Sequence, residues 1–158
     1  MAEARAWLAM LVATWFGCGR IPVAPGTAGS LGALAVAMAL AGWHDWRAPQ
    51  FGWLAVAALV PAIWAADAYA ARKGEKDPQS VVVDEVVGQW ITLAGATTLN
   101  WKSWLAALVV FRVLDIVKPP PARRAERLAS GAGIVADDVI AGLYGALVLF
   151  FAGWFNLY

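Results

Sequence analysis

At 158 residues the chain fits one domain and is too short for two comfortable ones. Hydrophobic residues make up 61% of it against 15% charged, and 10 residues are Trp, a composition that suits a bilayer rather than water. A net charge of +1 leaves no basic field for nucleic acid, while lone Cys18 and lone His44 exclude an intrachain disulfide framework and a histidine metal cage, so any chemistry rests on carboxylates.

Apolar stretches predict helices, in chain order, over 7–16, 30–43, 51–71, 83–99, 104–117 and 139–155, with no internal repeat. The Gly/Pro-rich tract after the first argues against a cleaved signal peptide, and 7–16 is expected to lie along the membrane interface as an amphipathic piece. The expected fold is thus all-α: one domain over 1–158, a polytopic membrane bundle of about five embedded helices plus that N-terminal interfacial helix. The 14-residue stretches 30–43 and 104–117 cross only if flanking residues extend them or the bilayer thins.

If the five later helices alternate in direction, connections 17–29, 72–82 and 118–138 share one side. That side holds Arg20, Arg72, Lys73, Lys76, Lys118, Arg123, Arg124 and Arg127, against Arg47 and Lys102 opposite, which makes it cytoplasmic by the positive-inside rule. Trp43, Trp46, Trp53, Trp101, Trp104 and Trp154 fall on the other side as an expected aromatic belt.

Four clusters separated along the chain then converge on the cytoplasmic side. Pro25-Gly26-Thr27-Ala28-Gly29-Ser30 is a glycine-rich turn opening a helix, with backbone N–H groups suited to phosphate oxygens, or else a Ser30 cap with small packing residues. Asp84-Glu85-Val86-Val87-Gly88 sets two carboxylates at a helix start, with Asp77 upstream and Asp67 near the end of the preceding helix; capping is the plain alternative. Arg112, Asp115 and Lys118 recur every third residue on one helical face before Pro119, as a phosphate fork with its orienting acid, or as an internal ion pair with a snorkelling lysine. Asp137-Asp138 again places paired acids at a helix start, one of them the expected N-cap.

Two acidic helix starts facing each other repel unless a cation sits between them, and hard oxygen ligands favour Mg²⁺. Together the clusters describe phosphoryl transfer, with a carboxylate either positioning a water or itself attacking. Cysteine, Asp-x-Asp and histidine nucleophiles find no matching spacing.

The ordered set Gly-Thr-x-Gly-Ser, Asp-Glu-x-x-Gly, Phe-Arg-x-x-Asp-x-x-Lys-Pro-x-Pro and Asp-Asp-x-x-Ala-Gly, running from Gly17 to Gly142, resembles the phosphatidylglycerophosphatase A family. The resemblance implies a bacterial inner-membrane, Mg²⁺-dependent, all-helical enzyme that hydrolyses phosphatidylglycerophosphate to phosphatidylglycerol. The motif positions carried over are Gly26, Thr27, Gly29, Ser30, Asp84, Glu85, Gly88, Arg112, Asp115, Lys118, Asp137 and Asp138. Expected metal ligands are Asp84, Glu85, Asp137 and Asp138. Gly26, Thr27, Gly29, Ser30, Arg112 and Lys118 are expected on the phosphate, and Asp84, Glu85, Arg112, Asp115 and Asp138 in catalysis. The implied partners are the lipid substrate and the bilayer. A small cation transporter or channel is the competing reading, and it predicts acids spread through membrane depth. A noncatalytic scaffold would leave the acid clusters unexplained.

Overall fold

The computed structural model describes residues 2–125, 128 and 130–158. Every regular element among them is helical: α1 (Ala2–Ala13), α2 (Pro25–His44), α3 (Ala48–Lys73), α4 (Val83–Ala94), α5 (Trp101–Val117), α6 (Ala122–Ala125) and α7 (Ser130–Trp154), with a 3₁₀ turn at Cys18–Arg20. Arg127, counted with the basic loops, lies outside the described residues.

Local chemistry moved several helix ends beyond the apolar stretches. Pro25 opens α2 one turn ahead of Ser30, using a residue whose missing N–H costs nothing in the first turn. Asn100 opens α5 at Trp101: its side chain accepts from the N–H groups of Lys102 (2.9 Å) and Ser103 (3.2 Å), while the Ser103 hydroxyl accepts from Asn100 N–H at 2.9 Å. Gly74, at φ 69°, closes α3 in the left-handed conformation that glycine adopts without a Cβ clash. α4, expected to run to 99, stops at Ala94. Gly95 there presses against the Ala146 backbone, and the Thr97 N–H turns away to the Tyr158 hydroxyl at 3.2 Å.

α4 is the axis of the bundle. It packs on α7, α3 and α2, with Val86, Val87 and Leu93 fully buried and the Trp90 indole donating to Ala33 O at 3.0 Å. Glycines allow the close approach: a Cβ on Gly142 would meet Gly88 O at 2.6 Å, and one on Gly145 would meet Thr92 Oγ1 at 2.5 Å. α1 docks on α3, burying Ala9 and Ala13, and Ala13 O accepts the Val82 N–H just ahead of α4 at 2.8 Å.

Among the described residues, three helices are long and apolar enough to cross a membrane: α2 with 20 residues, α3 with 26 and α7 with 25. The 12 residues of α4 reach only about 18 Å at ~1.5 Å per residue, too short to cross, while the 17 of α5 reach about 26 Å, the lower end of the crossing range. Of the six expected belt tryptophans, Trp43, Trp53, Trp101 and Trp154 are exposed. Trp46 and Trp104 instead pack on Phe51, with ring centroids 5.6 and 6.3 Å away.

Candidate active site

The first residues of α2 and α4, the end of α5 and the third turn of α7 surround one cavity of about 250 Å³. Gly26, Asp77, Asp84, Glu85, Arg112, Asp115, Lys118, Asp137 and Asp138 line it together with Pro78, Gln79 and Ile134. The three connections expected on one side therefore do meet, because α2, α4 and α7 start at the end of the bundle where α3 and α5 finish.

At the centre, one carboxylate oxygen each from Asp84, Glu85 and Asp138 lie within 4.8 Å of one another. Asp84 and Glu85 occupy the first turn of α4, where the helix dipole favours negative charge. Asp84 Oδ1 and Glu85 Oε2 are buried with no protein donor on them, an arrangement that costs free energy unless a cation claims those oxygens. α4 lies outside the three long spans, and there burial holds the Asp84 carboxyl well above the usual carboxylate range, with the charges of Glu85 and Asp138 acting the same way. Burial likewise raises Glu85. Three converging hard oxygens with unclaimed lone pairs fit a hard divalent cation, whose charge would reverse these shifts.

Arg112 borders the acids. Its Nη1 donates to Asp115 Oδ2 at 2.6 Å and to Glu85 Oε1 at 3.5 Å, so Asp115 orients the guanidinium from one turn along the same helix. Gly26 leaves room for this pair: a Cβ there would run into Glu85 Oε1 and sit 2.8 and 3.0 Å from Arg112 Nη1 and Nη2. Lys118 takes the left-handed position at the α5 C-cap, φ 49°, just before Pro119, and its Nζ meets Asp137 Oδ2 at 2.6 Å.

Several expectations change. Asp137, one of the four expected metal ligands, lines the cavity and pairs with Lys118, beside the cluster formed by the other three. Neither Asp137 nor Asp138 begins a helix. α7 starts at Ser130, and the Gly131 N–H donates to Asp67 Oδ1 at 3.1 Å, so Asp67 on α3 accepts one of the first-turn amides and the paired acids fall in the third turn. Of the glycine-rich segment, Pro25 and Gly26 line the cavity. Helix α2 already bonds from Ala28 N–H to Ala24 O, so only the Gly26 and Thr27 amides precede the first intrahelical bond. Gly29 and Ser30 are buried within α2, Gly29 against Val82. Gly88 lies against Phe111 and Asp138 O, which lets α4 approach α7 beside the acids.

Asp77 stands on the cavity wall. Gln89, which carried no motif signal, is fully buried one turn beyond Glu85 with neither amide atom hydrogen-bonded to protein. Only its helical spacing from Glu85 could have marked it.

The family model described as phosphatidylglycerophosphatase A matches residues 11–153. A Bacteroides thetaiotaomicron protein provisionally named phosphatidylinositol-3-phosphatase is 40% identical over 94% of this chain and 95% of its own length. Phosphatidylglycerophosphatase A of Escherichia coli is 35% identical over 90% of this chain and 82% of its own, and that of Haemophilus influenzae 37% over 89% and 85%. No solved structure matches the chain significantly. Matching along nearly its whole length, the chain belongs to the phosphatidylglycerophosphatase A family and, with it, to the phosphoric monoester hydrolases.

Proposed function

We propose that the protein hydrolyses phosphatidylglycerophosphate to phosphatidylglycerol and inorganic phosphate, and that its cavity opens to the cytoplasm of a bacterial inner membrane. The observation that carries this reading is the meeting of Asp84, Glu85 and Asp138 with Arg112 in a single cavity at one end of the bundle. A cation conductor needs acids through the membrane depth, whereas these gather at one level beside two cationic side chains, an arrangement suited to a phosphate.

Asp84, Glu85 and Asp138 would hold Mg²⁺, which when bound supplies Lewis-acid charge neutralisation at the phosphate. Arg112, held by Asp115, forks onto two phosphate oxygens, and Lys118 adds a second positive charge at the rim. Gly26 lets the phosphate approach this pair and offers its amide at the positive end of α2. Water adds to phosphorus as the bond to the glycerol oxygen breaks, and that oxygen leaves with a proton. The basic residues Arg72, Lys73, Arg123 and Arg124, near the cavity end of the chain's turns, favour the cytoplasmic orientation. In that bilayer α5 crosses with α2, α3 and α7, and α4 enters from the cytoplasmic side within their shelter.

The Bacteroides relative's name favours a second reading, a phosphoinositide monoester as substrate. Phosphate release by detergent-solubilised protein from phosphatidylglycerophosphate and from phosphatidylinositol 3-phosphate, each with Mg²⁺ and with chelator, separates the two. Chelator-sensitive release from the first at the higher kcat/KM supports the proposal. Preference for the second would replace it.

A further inference from the structure

We propose that Gln89 is a positioning residue of the site: with Ser30 it holds internal water against the inner side of the Glu85–Arg112 pair and so fixes both side chains. The inference deepens the lipid-phosphatase reading above, on which its catalytic half rests. Among the described residues, the buried side-chain polar atoms without a protein partner belong to Ser30, Asp84, Glu85, Gln89 and Arg112. Asp84, Glu85 and Arg112 line the acidic cavity, whereas Ser30 and Gln89 are fully buried and stand outside its wall. Helix geometry brings these residues together. Gly26 lies against Glu85 and Arg112. Ser30 follows Gly26 by four residues on α2 and Gln89 follows Glu85 by four on α4, so each repeats that face about one turn further into the bundle. Gly88 packs on the Phe111 ring, and Gln89 and Arg112 each directly follow a residue of that α4–α5 contact. Side chains on a helix lean toward its N-terminus, which directs the Gln89 amide back toward Glu85.

The donor and acceptor types select water as the ligand. Gln89 Nε2 and Arg112 Nε only donate, so a cation satisfies neither, and an anion between them would face the Glu85 carboxylate. A water accepts from both nitrogens and donates to Glu85 Oε2, about three bonds, the usual complement of a buried water. Ser30 Oγ, which donates and accepts, and Gln89 Oε1, which accepts, close the network. Asp115 then holds Arg112 from the cavity side, through the 2.6 Å bond to Nη1, and Gln89 holds it from the inner side through Nε. A guanidinium gripped on both sides keeps its two outer nitrogens aimed at the phosphate position.

The test compares the unmodified, detergent-solubilised protein with Gln89→Met, which keeps the side-chain volume and removes the amide. Thr92→Val on the same helix is the control, since it removes a buried hydroxyl that bonds to Gly142 O at 3.3 Å instead. At saturating Mg²⁺, Gln89→Met is expected to lower kcat for phosphatidylglycerophosphate about tenfold, on the ~10–100-fold scale of residues that orient others, with KM changed less than about twofold. Thr92→Val is expected to change kcat less than about twofold. A second readout needs no turnover. In ¹⁵N NMR of the metal-free protein, the Arg112 Nε–H signal, identified by its loss in Arg112→Lys, is expected to show a cross peak to bound water. That signal should shift in Gln89→Met and stay in place in Thr92→Val. An unchanged kcat in Gln89→Met, an equal loss in Thr92→Val, or a loss of kcat with the Arg112 signal unmoved overturns the role of Gln89. So does an Arg112 signal without a water cross peak in the unmodified protein, a result that stands even where Gln89→Met fails to fold. No phosphate release by the unmodified protein, with the cross peak present, overturns the phosphatase reading and leaves the water site in place.

Discussion

Gly26 is the residue on which the cavity's shape most directly depends. An added methyl meets Glu85 Oε1 and both terminal nitrogens of Arg112, so Gly26→Ala is expected to push the guanidinium off its Asp115 bond. The expected consequence is a loss of about 10²–10³-fold in kcat, the scale of removing one preorganised transition-state donor, with the circular dichroism spectrum unchanged. Arg112→Lys keeps the charge but loses the planar fork, and should lose activity on a similar scale. Asp138→Asn separates function from stability. Replacing one of three crowded carboxylates should abolish turnover, yet raise metal-free stability by about 0.5–2 kcal/mol, because like charges held together for function strain the empty fold. Thermal unfolding in chelator checks the second half, and a lower midpoint would show that repulsion among these acids is not what the fold opposes.

The interhelical contacts behind the site make a different kind of prediction. Asp67 on α3 accepts the Gly131 N–H in the first turn of α7, so Asp67→Ala should lose about 1 kcal/mol, as for removal of a helix cap, and Asp67→Asn much less. Activity per folded molecule should stay within about twofold of the unmodified protein, because the cap lies about two turns from the paired acids. Gly142→Val acts between α4 and α7, where even a Cβ meets Gly88 O at 2.6 Å. Forcing that contact apart should cost about 1–3 kcal/mol and also lower turnover, since it moves Asp84 and Glu85 relative to Asp138. Denaturation midpoints and phosphate release measured on the same samples distinguish the two variants.

For the whole molecule, the orientation of the bundle in the bilayer decides which compartment supplies the cavity. In a Cys18→Ser background, a cysteine at Glu75 in the α3–α4 connection should resist a membrane-impermeant maleimide in intact cells and react after lysis. A cysteine at Lys102, on the opposite end beside exposed Trp101, should react in both. The reverse pattern would turn the cavity outward.

Composition was enough to indicate a membrane protein, because the chain's apolar excess has no other solvent, and the motif types singled out Asp84, Glu85, Arg112, Asp115 and Asp138, which line one cavity. Helix polarity followed too, since alternating helices bring their acidic and basic ends to the same side. Which acids cluster together was decided in three dimensions. Asp137 and Asp138 are neighbours in sequence but, on a helix, point about 100° apart, so one joins Asp84 and Glu85 while the other meets Lys118. The start of α7 likewise draws on a partner distant in sequence, Asp67, whose carboxylate accepts the Gly131 N–H. The shortness of α4 has the same origin: Gly95 meets the Ala146 backbone, a contact between residues 51 positions apart, and an apolar pattern records that a residue avoids water without recording which neighbour it meets.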